Sequence, residues 1–120
     1  MIKWADALIL IKQNIKKNTD LNTNKSIYRI VDDVSSASPF WCHVRHGVNN
    51  AITITEDKLE KCFKHATSAA YNRVYQRQVY ADLFGEPNYP CEVNIIGMIF
   101  EVSGFATSKK VGVGNHYQIM

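Results

Sequence analysis

The side chains best suited to chemistry fall into three groups: a cationic segment, a set of acids with a lysine, and a Cys-His cluster. The cationic segment is residues 61–80, which contain no Asp or Glu. Cations supply most of the affinity for a phosphate backbone, and Arg or Gln can pair bidentately with base edges. A solvated helix face would explain the same side chains. The residues predicted to bind nucleic acid are Arg73, Arg77, Gln78, Lys109, Lys110 and His116, with help from Lys61 and Lys64.

The order of elements from about residue 71 onwards resembles the winged helix-turn-helix family. A basic helix ends at Gly85, a second helix follows, and residues 104–119 form a glycine-rich hairpin. The resemblance implies a helix in the major groove, with Glu92 and Asn94 facing bases, and a basic hairpin on the phosphates. The second helix contains no Lys or Arg, which departs from the family pattern. Arg73 and Arg77 on the preceding helix are therefore the better contact candidates.

The acids support a second hypothesis. Asp32 and Asp33 end the first predicted strand, and about two dozen residues later Glu56 and Lys58 form a Glu-x-Lys motif. This spacing resembles the metal-binding core of restriction-nuclease-like enzymes, in which carboxylates hold Mg²⁺ and the lysine supports the attacking water. The acids after Thr55 also suit the first turn of a helix that this residue caps. The sequence leaves open whether the set is a metal site.

The Cys-His cluster consists of Cys42, His43 and His46. Strand alternation places Cys42 and His43 on opposite faces, and likewise the two histidines, and no second pair follows at zinc-finger spacing. With Cys62 and Cys91 the cysteine count is odd and irregular, which argues against a disulfide framework and favours buried thiols. No nucleophile elbow or phosphate loop occurs. We expect no metal, no cofactor and no catalytic residue.

Length and composition are those of one globular domain over residues 1–120. Hydrophobic residues make up 46% and charged residues 21%, and the net charge of +3 is too mild to imply nucleic acid by itself. The apolar run over residues 7–11 is too short to span a bilayer, and no cleavage site follows it. The expected compartment is the cytoplasm, with no membrane partner.

Hydrophobic periodicity predicts an α+β fold. Trp4, Leu8, Ile11 and Ile15 lie on one helical face, which predicts an N-terminal helix over about residues 2–17. A loop follows over residues 18–25. Alternating segments then predict a three-stranded antiparallel meander, two or three further helices follow, and a C-terminal hairpin ends the chain and extends the sheet. The predicted strands are residues 26–34, 40–45, 51–55, 107–111 and 116–119, with turns at 35–39 and 47–50, and the last helix is 90–103.

Aromatic residues accompany the basic segment. Tyr71, Tyr75 and Val79 form a helical stripe, and Tyr80, Phe84 and Tyr89 lie close by in sequence. Such a stripe is compatible with core packing, with stacking on single-stranded bases, or with pairing to a second copy of the chain. A homodimer through the Tyr71/Tyr75 helix is the predicted form of that pairing.

The leading hypothesis is a non-catalytic binding protein that takes nucleic acid, DNA in particular, through the basic helix and the C-terminal hairpin. The first alternative is a self-associating interaction module without a nucleic-acid role. The second is a Mg²⁺-dependent nuclease that uses Asp32, Asp33, Glu56 and Lys58.

Overall fold

The computed structural model describes residues 1–22, 27–34, 38–46, 50–87, 90–112 and 114–120. Helices and antiparallel sheets are both present in these ranges, which confirms the α+β class. The helices are α1 (Trp4–Asn14), α2 (Glu56–Ala66), α3 (Arg77–Phe84) and α4 (Pro90–Val102). The strands are β1 (Asp20–Asn22), β2 (Ile27–Ile30), β3 (Trp41–His46), β4 (Asn50–Thr55), β5 (Val74–Tyr75), β6 (Ala106–Val111) and β7 (Gly114–Ile119). The predicted turns at 35–39 and 47–50, and Tyr89, lie wholly or partly outside the described residues.

The first sheet is a four-stranded antiparallel meander in the order β1-β2-β3-β4. The predicted meander is confirmed, but the segment predicted as a loop contributes the extra strand β1. Asn18 adopts a positive φ of 71°, and its N–H donates to the Ile30 carbonyl, while the Ile30 N–H donates to Thr19 O. The added strand depends on these distant partners, because Asn- and Thr-rich sequence by itself favours a loop.

One face of this sheet packs on the core, and the pattern is the alternation expected of a half-buried strand. Tyr28 and Ile30 on β2, and the inward residues of β3 and β4, are at most 8% exposed. The inward residues of β3 and β4 are Cys42, Val44, Ile52 and Ile54.

Helix α2 follows β4 directly and begins where its sequence predicts. The Thr55 hydroxyl accepts a hydrogen bond from the Lys58 N–H at 3.1 Å, so Thr55 is the N-cap. Leu59 and Cys62 are among the residues that turn the apolar face of α2 toward the core. Its neighbour α4 is almost entirely buried, as its nearly continuous apolar sequence predicts.

The helix predicted through Tyr71 and Tyr75 does not form. Asn72 and Arg73 have positive φ values of 51° and 65°, which a helix cannot contain, and β5 follows them. Tyr75 pairs with Tyr117 of β7 and is fully buried. The periodicity was misleading because a tertiary pairing across more than 40 residues outweighs the local helical pattern.

The C-terminal hairpin lies in a second sheet instead of extending the first. Its order is β5-β7-β6, with all pairs antiparallel. The sheet packs on α4 at Gly97, where a Cβ would overlap the ring of Tyr117. The glycine therefore permits a close approach of helix to strand. Among the described helices, none combines the length and the apolar character needed to cross a membrane.

Candidate nucleic-acid interface

The side of the four-stranded sheet away from the core carries a tryptophan, a histidine and two arginines. We call Arg29, Trp41, His43, Arg45 and Thr53 the outer sheet face. Alternation on β3 sends Trp41, His43 and Arg45 outward, about 7 Å apart in a row along the strand. Trp41 is 64% exposed, and the His43 side chain is 45% exposed. A tryptophan left this exposed gives up the burial free energy that the side chain usually contributes.

On this outer side, the residues of β4 next to the row have only small side chains. Thr55, Thr53 and Ala51 of β4 stand opposite Trp41, His43 and Arg45, respectively. The side chains of Trp41, His43 and Arg45 therefore project farther from the sheet than the small side chains beside them on β4.

The strand on the other side of β3, β2, adds a second arginine in an unfavourable position. Arg29 of β2 stands directly opposite Arg45, and like charges directly opposite each other destabilise a sheet. Arg29 is relieved by Asp20 of β1, whose carboxylate lies 2.8 Å from its Nε and raises the pKa of the guanidinium. Arg45 makes no ion pair within the described part of the chain. Its exposed guanidinium is therefore available to an anion.

His43 is held in a fixed orientation by one carboxylate. Asp32 Oδ1 accepts the backbone N–H of His43 at 3.0 Å, and Oδ2 lies 2.8 Å from Nδ1 of its ring. β2 has ended before Asp32, but Val31 still donates its N–H to the His43 carbonyl. The Asp32 carboxylate thus supplies the acceptor for the His43 N–H that a backbone carbonyl would supply if the strand continued. An ionised carboxylate only accepts hydrogen bonds, which assigns the hydrogen to Nδ1 and leaves Nε2 for another partner.

The thiol beneath this row is inert. Cys42 points into the core, and burial, with a smaller contribution from the Asp32 charge, raises its pKa to about 12. A thiol with so high a pKa stays protonated at neutral pH and is a poor nucleophile. Cys42 and His43 lie on opposite faces, as the alternation predicts.

The predicted cationic site is divided among separate interactions. The Arg73 guanidinium donates to the backbone carbonyls of Ile2 and Met120, which ties the two ends of the chain to β5. Arg77 pairs with Glu86 at 2.8 Å. The Arg73 guanidinium is engaged within the fold, whereas the Arg77–Glu86 pair is exposed, and the predicted role of both arginines in binding stays a prediction.

The remaining predicted contacts lie on α3 and on the hairpin. The Gln78 amide donates to Asp82 at 2.8 Å. Lys109 stands opposite His116 in the β6–β7 register, so these two side chains share a face. Lys110 is the next residue on β6 and lies on the other face. The structure thus brings Lys109 and His116 together and separates Lys110 from them.

A charged cluster lies inside the molecule, where α2, α3 and α4 meet. Lys58 Nζ lies 3.0 Å from Glu92 Oε1, and the Tyr80 hydroxyl donates to the other oxygen of that carboxylate. The ammonium also lies 5.0 Å from the centroid of the Phe84 ring. Burial, followed by the Glu92 contact, raises the pKa of Tyr80, which keeps it a neutral donor. Glu92, which the winged-helix resemblance turns toward bases, is instead buried here.

The residues of the nuclease hypothesis are engaged apart from one another. Asp32 holds His43, Asp33 accepts the Lys17 N–H at 2.8 Å, and Lys58 pairs within the buried cluster. Glu56 Oε1 is buried without a hydrogen-bond partner among the described residues. The described ranges also contain no group of three or more His, Cys, Asp or Glu side chains that could hold a metal ion. The nuclease hypothesis stays a prediction without an assembled site there.

Reasoning from the sequence missed the outer sheet face as a site. The alternation that separates Trp41, His43 and Arg45 from Cys42 and its neighbours is visible in the sequence. What it does not reveal is that this face stays uncovered, or that an arginine of another strand joins it. The signal that could have found it is a tryptophan on the polar side of an alternating strand, because a ring on that side cannot be buried in the core.

Comparison of the chain with protein-family models, with curated proteins and with solved structures finds no match. A function is therefore inferred from the residues of this chain alone. The outer sheet face can stack an aromatic ring on Trp41, attract anions to Arg29 and Arg45, and offer Nε2 of His43 as a hydrogen-bonding group.

Proposed function

We propose that this chain is a non-catalytic nucleic-acid-binding module whose outer sheet face binds a single strand. The observation that carries the proposal is the combination of an exposed Trp41 with the opposed arginines Arg29 and Arg45 on one face. Each of these features is unfavourable in the isolated domain. Together they suit a ligand that has flat rings and a chain of negative charges.

Each side chain has a distinct role in this proposal. Trp41 stacks on an unpaired base, since every base has a π-face that an aromatic ring can cover. Arg45, which has no ion-pair partner among the described residues, neutralises a phosphate and releases its counterion. Arg29 contributes less, because Asp20 already offsets its charge. His43, held by Asp32, donates or accepts one hydrogen bond at a base edge or a phosphate. In this proposal, a base lies over the small side chain of Thr53, beside the larger side chains of β3.

A single strand fits this face better than a duplex does. The major groove of B-DNA is about 12 Å wide and admits a helix or a two-stranded ribbon. Strands lie about 4.8 Å apart, so a four-stranded sheet spans about 14 Å between its outer strands before side chains are added. In a duplex the bases are also stacked on one another and cannot cover Trp41.

The binding surface in this proposal differs from the basic helix and hairpin that the sequence suggests. The nucleic-acid partner is kept, and the contacts move to a surface where the aromatic and the cations share one face. Lys109, Lys110 and His116 are candidates for a separate, purely electrostatic contribution.

The test is fluorescence anisotropy of a labelled single-stranded oligonucleotide, in DNA and in RNA form, titrated with the full chain. Trp41→Ala is expected to weaken binding about 5- to 150-fold, because base-aromatic stacking contributes about 1–3 kcal/mol per base. Arg45→Ala is expected to weaken binding and to lower the slope of log affinity against log salt by about 1. Lys110→Ala removes an equal, exposed charge from the hairpin and is the comparison variant, which should weaken binding less than Arg45→Ala does.

Two outcomes would contradict the proposal. If Lys110→Ala loses affinity while Trp41→Ala and Arg45→Ala do not, the hairpin is the binding surface. If a duplex of the same sequence binds as tightly as the single strand, base stacking on Trp41 contributes nothing. Both substituted residues of the outer sheet face are exposed, so the variants should fold, which circular dichroism can check.

A further inference from the structure

The four edge strands of the two sheets differ in how well they are protected. β1 and β5 are short, with three and two residues. β6 has six residues, but it carries Lys109 and Lys110, and Glu101 Oε2 accepts the N–H of Ser108 at 2.9 Å. Short strands, lysines and covered N–H groups are the usual protection of an edge against pairing with another chain.

β4 has none of these protections. Its six residues, Asn-Ala-Ile-Thr-Ile-Thr, include no charge and no proline, and most of them favour a strand. It pairs with β3 on one side only. A long, uncharged edge is a template for an added strand.

The ladder geometry identifies the backbone groups that face this open edge. The Glu56 N–H donates to Phe40 O, so Phe40 and Glu56 form a hydrogen-bonded pair of the antiparallel ladder. The next pair, Trp41 and Thr55, is therefore a non-hydrogen-bonded pair. The two kinds of pair alternate along an antiparallel ladder. The N–H and C=O groups of Thr53 therefore point away from β3, and no group among the described residues pairs with them.

We infer that β4 is the pairing edge for a second copy of this chain, joined antiparallel about a two-fold axis at Thr53. Antiparallel pairing of β4 with itself at that register puts Thr53 opposite Thr53 and Ile52 opposite Ile54. Threonine pairs and β-branched pairs are favourable across strands, and no like charges meet. This inference goes beyond the proposed function and does not depend on it.

The second copy is favoured over other extended segments because the edge is complementary to itself. A basic or acidic peptide would find no opposite charge on β4. The same contact joins the two four-stranded sheets into one. The two rows headed by Trp41 then lie three strand spacings apart, about 14 Å, on one continuous outer surface.

The test is the molar mass of the full chain, measured by light scattering after gel filtration over a concentration series, at low and high salt. The wild type is expected to rise from the monomer mass of 13.7 kDa to twice that value, at both salt concentrations. Thr53→Lys is expected to stay at the monomer mass, because two lysines would meet at the axis. Thr107→Lys, at an exposed position on β6, is the matched control and should behave like the wild type.

A charge exchange separates a lost interface from a damaged fold. Thr53→Glu alone should also stay monomeric, and an equimolar mixture of Thr53→Lys and Thr53→Glu should regain the dimer mass, since opposite charges then face each other. A wild type that remains at the monomer mass at every concentration would overturn the inference. So would a Thr53→Lys variant that dimerises as well as the wild type does.

Discussion

The three-stranded sheet packs so closely on α4 that Gly97 has no room for a Cβ beside the Tyr117 ring, whereas the four-stranded sheet leaves Trp41 64% exposed. The three-stranded sheet protects its long edge strand β6 with lysines, whereas the four-stranded sheet leaves its edge strand β4 uncharged. The four-stranded sheet also places Arg45 opposite Arg29. The exposed tryptophan and the opposed arginines, which both cost stability, thus lie in one region, as expected if this surface binds a ligand as proposed.

The largest expected effect is at the tight contact of the three-stranded sheet. Gly97→Ala adds a methyl group where the buried Tyr117 ring already lies, so the ring or the helix must move. Overpacking of this kind costs about 1–3 kcal/mol, despite the better helix propensity of Ala. Urea unfolding followed by circular dichroism measures the change.

Removing the ring supplies the control for this contact. In a Tyr117→Leu background, Gly97→Ala should cost less than it does in the wild type, because a smaller side chain leaves space. Equal costs in the two backgrounds would mean that Tyr117 is not what confines the glycine.

A smaller effect is expected at the turn that leads into β5. The Asp82 carboxylate accepts from the Tyr71 hydroxyl and from Gln78, and lies 3.0 Å from Nε2 of His65. These contacts, led by Tyr71, lower the pKa of Asp82 to about 2. A lowered pKa stabilises the fold above the ordinary value of 3.8, and this contribution is lost as the pH falls through about 2. The melting temperature of Asp82→Asn should therefore fall less between pH 4 and pH 2 than that of the wild type.

Tyr71→Phe sharpens the test, because it removes the largest cause of the shift and keeps the carboxylate. Its loss of stability should begin at a higher pH than in the wild type. If the melting temperatures of the wild type and of Asp82→Asn fall equally between pH 4 and pH 2, this account of Asp82 is contradicted.

The smallest effect has the opposite sign and lies on the four-stranded sheet. Arg45→Thr removes one of two opposed arginines and introduces a good strand former, so the free energy of unfolding should rise by about 0.2–1 kcal/mol. The midpoint of urea unfolding measures this gain, provided that the slope is unchanged. Arg29→Thr should not show the gain, because it leaves Asp20 without its partner. A destabilised Arg45→Thr variant would mean that Arg45 supports the fold.

Elements with local signals could be predicted from the sequence. Thr55 is followed by acids and an apolar stripe, and α2 begins there as expected. Gly85, with a φ of 78°, ends α3 as expected. In contrast, β5 exists because Tyr75 pairs with Tyr117, and β1 because Asp20 and Leu21 pair with Arg29 and Tyr28 of β2. Such pairings join residues whose contact no local pattern encodes.

The same distinction applies to the site. The sequence places His43 and Arg45 on one side of a strand, because alternation is local. It does not place Arg29 opposite Arg45, which depends on the register between two strands. Nor does it reveal that the Arg73 guanidinium is already occupied by the carbonyls of Ile2 and Met120. Charge counted along the chain therefore does not show which cations are already engaged within the fold.

The most direct test of the outer sheet face is the fluorescence of Trp41 in a Trp4→Phe variant, since the chain has two tryptophans. Adding a single-stranded oligonucleotide should quench this emission, and salt should reverse the quenching. The complementary Trp41→Phe variant, in which Trp4 packs on Phe63, should respond little. Binding detected by anisotropy with no change in Trp41 emission would contradict the account, because the ligand would then lie elsewhere on the molecule.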